Sequence, residues 1–472
     1  MGVSDFLYSG FIDHLGYTPT ECQDKLLKNV ASFAVSDDDL MVVNGYAGTG
    51  KTTAMASVIA TFKEHHIKTR LLAPTGRAAK VLSSYANKPA YTIHKHIYRQ
   101  KSVSGDGYGQ FSLGLNKDRD TLFIVDEVSL IGIDQSNQTA SAFGSGNLLE
   151  DLVHYVRNGV GCKLILIGDS AQLPPVGLDC SPSLNHDYMV MLGATVFSQL
   201  TTVVRQQKAS GILHNATLLR NLIGDGYDQT DFEGTIPLET EGFDDIERIT
   251  GGDLIETISD AYSRYGEDEV IILCRSNRRA IRYNMGIRST IQFKEERLVR
   301  DDSLMIVKNC YQFVDDLEGV DYIANGDIAK LIKISHFEDR YGLHFAEARL
   351  RLPDYNDQEI VAKVILDTLD SESPALSYEQ QNQLYHGVDA DYQHIKSKRK
   401  RYEAVREDHF YNALQLKYAN AITCHKSQGG QWKCVFIDNP FWQPEQNIDD
   451  LKWLYTALTR ATEKVYLVNF RH

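Results

Sequence analysis

Gly45-Tyr46-Ala47-Gly48-Thr49-Gly50-Lys51-Thr52 decides the fold. The apolar run Leu40-Met-Val-Val leads into it, and the helix-permissive Thr-Ala-Met-Ala-Ser-Val-Ile-Ala follows. G-x-x-x-x-G-K-[ST] set between a strand and a helix is the spelling of a phosphate-binding loop. Its glycines free the backbone to turn N–H groups toward an anion, and the helix N-terminus behind it favours negative charge. Gly45, Ala47, Gly48, Thr49, Gly50, Lys51, Thr52 and Thr53 are therefore the candidate nucleotide cradle, with Lys51 reaching the β- and γ-phosphates and Thr52 a ligand for Mg²⁺.

Outward from this loop, apolar β-rich runs alternate with helix-like stretches: Arg70-Leu-Leu-Ala, Leu122-Phe-Ile-Val and Leu164-Ile-Leu-Ile-Gly-Asp. That alternation predicts an α/β fold with a parallel sheet covered by helices. Asp126-Glu127 ends the strand 122–125, so Asp126 can meet the loop's Mg²⁺ while Glu127 orients the attacking water, the roles of a Walker B pair. Gln172, in Gly168-Asp-Ser-Ala-Gln-Leu-Pro-Pro-Val, ends the next strand, where an amide could sense the γ-phosphate. The turn-rich Ser104-Gly-Asp-Gly-Tyr-Gly, within 100–110, predicts a β-hairpin projecting from this lobe.

A second set of buried-strand runs, Val270-Ile-Ile-Leu, Cys434-Val-Phe-Ile-Asp and Val465-Tyr-Leu-Val-Asn, predicts another α/β lobe. It is interrupted from about Phe293 to Asp408 by β-like runs and a charged helical part, predicting a small β-barrel plus helices. The expected domains are 1–180 with a hairpin insertion at about 86–120, 181–292 with 409–472, and the insertion 293–408.

Composition narrows the function. The chain has 472 residues, too many for one core, with 43% hydrophobic and 24% charged residues, the balance of a soluble globular enzyme. It shows no export signal or membrane-length apolar run, so a cytoplasmic protein is expected, and a monomer is the expected state. The seven cysteines lack Cys-x-x-Cys spacing, predicting reduced core thiols without a structural metal. The formal charge of −14 argues against a surface that grips duplex phosphates, so any nucleic acid must sit in a local channel.

Taken in order, these motifs resemble those of superfamily 1 helicases of the RecD-like and phage Dda branch, from about Thr18 to Val468. The resemblance implies two RecA-like lobes, ATP and Mg²⁺ as cofactors, and single-stranded DNA and a duplex fork as partners. It implies that Gln23, in Tyr17-Thr-Pro-Thr-Glu-Cys-Gln, reads adenine, and that Pro74, Thr75, Arg77, Thr92 and His94 contact the strand from the first lobe. Arg205, in Leu200-Thr-Thr-Val-Val-Arg, and Arg460, in Tyr455-Thr-Ala-Leu-Thr-Arg, match arginine fingers. Such guanidiniums stabilise the charge that phosphoryl transfer spreads over the γ oxygens, and only when the lobes close. Thr423-Cys-His-Lys-Ser-Gln-Gly-Gly-Gln431 resembles the segment joining nucleotide to strand, giving Gln428 and Gly429 to the nucleotide and Thr423, His425 and Lys426 to DNA. Many relatives place glutamate at the position of Gln431, a departure that bears on recognition of the ribose. Cys424 and His425 are excluded as a metal pair on the expectation that they lie on a strand and face opposite ways.

Arg275 and Asn277, after the strand 270–273, are placed to hold phosphates, while Lys396-Ser-Lys-Arg-Lys-Arg401 reads first as a solvated helix face and second as a DNA guide. The expected function is an ATP-dependent DNA helicase moving 5′ to 3′, the polarity implied by the resemblance, with Tyr108 or Phe111 of the hairpin as a wedge against the last base pair. The alternatives are an ATPase acting without nucleic acid, a clamp subunit without hydrolysis, and an RNA-directed helicase.

Overall fold

The computed structural model describes residues 2–100, 111–132, 145–204, 210–224, 233–310, 312–314, 317 and 323–470. Its first eight strands are β1 (Leu40–Gly45), β2 (Lys68–Ala73), β3 (Ala90–Thr92), β4 (Tyr98–Gln100), β5 (Phe111–Leu113), β6 (Thr121–Val125), β7 (Lys163–Gly168) and β8 (Val196–Leu200). Six of them form a sheet in the order β3-β2-β6-β7-β1-β8, parallel throughout. Successive residues of a strand face opposite sides. Met41 and Val43 accordingly pack with Leu27, Val30, Val58 and Phe62 on one face, and Leu40 and Val42 with Leu149 and Leu152 on the other. Both faces are covered, which is why these strands read as unbroken apolar runs.

β4 and β5 pair antiparallel as the stem of the expected hairpin. The hairpin's tip, with Tyr108, lies outside the described residues, as does the side chain of Phe111. The sheet also takes in β8, so the first lobe extends past the boundary expected at residue 180. Val196-Phe-Ser-Gln-Leu has a mixed polar pattern because it is an edge strand, bonded only to β1.

The second lobe contributes β9 (Glu233–Gly234), β10 (Ile246–Ile249) and β11 (Val270–Cys274) before the chain leaves it. A closed barrel then forms from β12 (Ser303–Ile306), β13 (Ile328–Arg340), β14 (Leu343–Leu352), β15 (Gln358–Ile365) and β16 (Leu414–Tyr418). Alternate residues, such as Ala346, Ala348, Leu350 and Leu352 on β14, fill its interior. The helices Tyr378–Asp391 and Lys398–Glu407 sit between β15 and β16. The barrel therefore closes with a strand beyond residue 408, where the insertion was expected to end. After it come β17 (Ala421–Thr423), β18 (Trp432–Asp438), β19 (Gln446–Asn447) and β20 (Ala461–Val468). The second sheet runs β10-β20-β18-β11-β17, again parallel. Two parallel, helix-covered sheets of this kind are RecA-like lobes. No helix among the described residues is long and apolar enough to cross a membrane.

The barrel touches the first lobe at the helix Gly76–Ala86. Lys80 Nζ lies 3.4 Å from Asp327 Oδ1 and 3.6 Å from the centre of the Tyr355 ring. A Cβ on Gly76 would stand 2.6 Å from that of Ala324, so this approach requires glycine.

Candidate functional site at the interface of the two lobes

The loop 45–52 leaves β1 at its carboxyl end and opens the helix Lys51–Glu64. Gly48 and Gly50 have φ of 73° and 75°, a left-handed conformation that side chains resist. A Cβ at Gly50 would also meet Gln23 Nε2 at 2.3 Å. Gln23 is fully buried, and its amide donates to Thr49 O at 3.1 Å and accepts from Thr20 N at 3.0 Å, tying the preceding helix to the loop. Lys51 Nζ donates to Gly45 O at 3.0 Å and Gly168 O at 3.5 Å. Thr52 and Thr53 are exposed.

Asp126 and Glu127 follow β6 beside this loop. Asp126 is 8% exposed, accepting from Tyr85 OH at 2.7 Å and from Glu127 N at 2.8 Å. Glu127 stands at φ 55°, a strained conformation for a non-glycine residue of the sort that clusters at working sites. Its Oε2 is buried with no hydrogen-bond partner among the described residues. Burial raises the Glu127 carboxyl above the ordinary carboxylate range, Lys51 and Arg460 oppose that rise, and Asp126 adds to it. Two cations from opposite lobes thus act on one carboxylate.

Arg460 follows the helix Ile448–Leu458 of the second lobe and is 4% exposed. Its guanidinium donates to Thr456 O, Gly430 O and Thr459 Oγ1 at 3.1, 3.3 and 3.2 Å. The same helix reaches the phosphate loop directly: Ala47 N donates to Tyr455 OH at 2.8 Å, and Tyr455 OH donates to Asp169 Oδ2 at 2.7 Å. Burial raises both the Tyr455 phenol and the Asp169 carboxyl. Leu173 N donates to Thr456 Oγ1 at 2.7 Å, and Gln428 Nε2 donates to Leu173 O at 2.8 Å. Gln428 therefore spans the lobes, and Gly429 packs against Ala78, where a Cβ would be 3.1 Å from the alanine's own. Gln172 is 5% exposed, with Oε1 buried and unpartnered among the described residues. Arg205 lies outside the described residues.

Sequence reasoning assigned no role to Tyr455, Asp169, Thr456 or Tyr85. Tyr455 and Thr456 share a motif with Arg460, and Asp169 follows the glycine that ends β7; that proximity was the available signal.

The expected strand contacts stand at the carboxyl ends of parallel strands, where α/β sheets bind ligands. Pro74, Thr75 and Arg77 follow β2, Thr92 ends β3, and His94 lies on the helix Ile93–Ile97 that follows it. Thr75 and Thr92 accept from Ala78 N and Lys95 N, capping the helices that start there. The Arg77 guanidinium stacks 4.1 Å above Trp432, crossing between the lobes. In the second lobe, Arg275 and Asn277 follow β11, Thr423 ends β17, and His425 and Lys426 follow it. Arg275 pairs with Asp450, and Asn277 Nδ2 donates to Glu372 O at 3.0 Å. Lys426 Nζ is buried without a partner among the described residues; burial, with Lys417 nearby, lowers it to about 8. Cys424 and His425 open a one-turn helix, Cys424–Ser427, rather than lying on a strand. The pair still splits, Cys424 buried with its thiol donating to Trp453 O and His425 exposed. In the basic run, Arg399 pairs with Glu403 and Arg401 with Asp389, as on a solvated helix face.

An AAA domain model matches residues 21–234, and a UvrD-like helicase C-terminal domain model matches 418–468. The chain is 31% identical over 185 residues to the ATP-dependent RecD2 DNA helicase of Deinococcus radiodurans, covering 37% of this chain and 22% of that protein. It is 25% identical over 485 residues to an uncharacterised protein of Methanocaldococcus jannaschii, covering 95% of this chain and 37% of the other. It thus spans little more than a third of the Methanocaldococcus protein and about a fifth of the Deinococcus one. Among solved structures, Bacteroides Pif1 helicase in complex with ADP-AlF3 and ssDNA is similar with a TM-score of 0.49 and 17% identity, covering 96% of this chain and 93% of that one. Pif1 helicase from Candida albicans gives 0.44 and 17%, covering 96% and 95%.

Proposed function

We propose, from the premise that the chain belongs to the superfamily 1 helicases of the RecD-like and phage Dda type, that it hydrolyses ATP to move along single-stranded DNA and unwind duplex. The observation that carries this reading is the junction of the two lobes at the phosphate loop, where Tyr455 of the second lobe bonds Ala47 and Asp169 of the first beside the buried Glu127, whose carboxyl feels both Lys51 and Arg460. A site completed by both lobes can act only when they close, which couples the state of the nucleotide to the relative position of two DNA-gripping surfaces.

The triphosphate is the substrate of the loop 45–53. Backbone N–H groups and Lys51 bind and orient it, Glu127 holds the attacking water, and Gln172, whose amide oxygen stands unpaired beside the site, senses the γ-phosphate. Arg460, joined by Arg205, balances the charge that builds on the γ oxygens. Gln23 positions the adenine and Gln428 transmits closure across the interface through Leu173. Mg²⁺ fits the donor set, with the Thr52 hydroxyl and the Asp126 carboxylate to hold it; when bound, it offsets charge on the β- and γ-phosphates. The single strand runs past Pro74, Thr75, Arg77, Thr92 and His94 onto Arg275, Asn277, Thr423, His425 and Lys426. Alternating grip by the two rows, in step with closure, moves the chain 5′ to 3′.

The test is strand displacement from duplexes carrying one 5′ or one 3′ tail, with Lys51→Ala as the inactive control and ATP turnover followed with and without an oligonucleotide. Unwinding from the 5′ tail and strong stimulation by oligonucleotide are expected. Unwinding from the 3′ tail alone would overturn the polarity, and turnover indifferent to nucleic acid would overturn the motor.

A further inference from the structure

At the carboxyl edge of the second sheet, beside the strand contacts just assigned, lies a cavity of about 720 Å³. The ends of β18, β20 and β10 are level there, with Asp438 opposite Val468 and Val468 opposite Ile249. Arg248, Arg279, Phe441, Trp442, Gln443 and Phe470 are on its wall. Trp442 is 88% exposed, whereas the other two tryptophans, Trp432 and Trp453, are 6% and 1% exposed. Exposing an indole to water costs free energy unless something covers it.

Chemistry and position both indicate the occupant. Among the described residues the lining has two guanidiniums and no carboxylate, and with Asp438 beneath offsetting Arg279 the charge of Arg248 remains to favour an anionic ligand. Arg279 is fixed by the buried Asp438 beneath it, and Arg248 Nη2 donates to Leu238 O at 2.7 Å, so both guanidiniums are held in place. An exposed indole with neighbouring rings offers a stacking face, and Gln443 an amide for a base edge. Arg279 stands two positions after Asn277 on the same helix, and the Arg275–Asp450 pair joins the expected strand contacts to the helix that follows the Trp442 loop. The cavity and the expected contacts thus lie at the same carboxyl edge of the second sheet.

Resting on the reading of the chain as a single-strand translocase, we propose that this cavity is a further binding site for single-stranded nucleic acid, taking a base against Trp442 and its phosphate between Arg248 and Arg279. The site lengthens the footprint of the second lobe without touching the ATP machinery.

The experiment uses the full chain, its Trp442→Ala and Trp442→Phe variants, and oligothymidylates of about 8 and about 16 nucleotides, short and long against typical single-strand site sizes. Tryptophan emission and its quenching by iodide report on Trp442 as the exposed indole, and anisotropy reports affinity. The longer strand is expected to shield wild-type emission from iodide. Trp442→Ala is expected to weaken its binding about tenfold, the scale of one stacked base, with little change for the shorter strand, and Trp442→Phe to restore most of the loss. Turnover at saturating oligonucleotide should stay unchanged. Wild-type affinity of Trp442→Ala for the longer strand, with iodide access unaltered, would overturn this site while leaving oligonucleotide-stimulated turnover, and the motor, intact. Shielding of Trp442 by an acidic peptide but not by the oligonucleotide would also overturn it. Wild-type turnover unresponsive to any oligonucleotide would remove the underlying reading as well.

Discussion

The Tyr455 hydroxyl, from the second lobe, donates to the Asp169 carboxylate of the first at 2.7 Å while accepting the N–H of Ala47 in the phosphate loop at 2.8 Å. One hydroxyl thereby holds three elements, and it rides on the helix that leads to Arg460. Tyr455→Phe keeps the ring and leaves a buried N–H and a buried carboxyl without their partner. Hydrogen bonds involving charged groups contribute about 1.5 to 3 kcal/mol, so oligonucleotide-stimulated kcat is expected to fall at least about tenfold. Thermal unfolding measured beside kcat separates the roles: a lowered Tm with unchanged kcat would mean the hydroxyl only holds the fold.

A place for Lys426 on the proposed strand track predicts a pH dependence of known sign. Its ammonium is buried and lowered to about 8, so the cation needed to hold a phosphate is lost as pH rises through that value. Oligonucleotide affinity is expected to fall by up to about tenfold per pH unit above ~8, with protons taken up on binding near that pH. Lys426→Arg, which stays charged, should flatten the curve. Lys417, also lowered to about 8 by burial, accounts for any slope that remains. Identical pH curves for wild type and Lys426→Arg would place Lys426 outside the strand contacts.

His96, just before the hairpin stem, packs edge-on against Phe123 and Tyr155, and burial lowers it to about 4. The folded state keeps this imidazole neutral, whereas an unfolded histidine takes a proton near pH 6.5. Stability is therefore lost as pH falls from about 6.5 toward about 4, by up to about 3 kcal/mol from this group. Urea titrations at pH 7 and pH 5 are expected to show a smaller drop for His96→Gln than for wild type. Equal drops would mean the ring is already open to protonation in the folded state.

The local parts of this architecture were legible in the sequence. A strand, a phosphate loop and a helix in succession can be read from adjacent residues, as can Asp126-Glu127 at the end of an apolar run. Short or edge strands were not. β17 is three residues, Ala-Ile-Thr, and in β8 the polar Ser198 and Gln199 break any period. β16 completes the barrel after two intervening helices, a pairing that no local pattern announces. Tyr455 and Asp169 are separated by 286 positions, and only the folding of both lobes brings them together. The Cys424–His425 pair is expected on a strand, but β17 ends at Thr423 and the chain turns into a helix at the next residue.

The central claim is that Arg460 serves the triphosphate that Lys51 binds. ATP turnover of Arg460→Ala at saturating oligonucleotide, with ATP affinity measured alongside, tests it most directly. A fall in kcat of about 10³-fold or more, with ATP affinity within a few fold of wild type, is the outcome expected of an arginine finger. Turnover close to wild type would leave Arg460 only the helix-end carbonyls it already caps, and would contradict the claim.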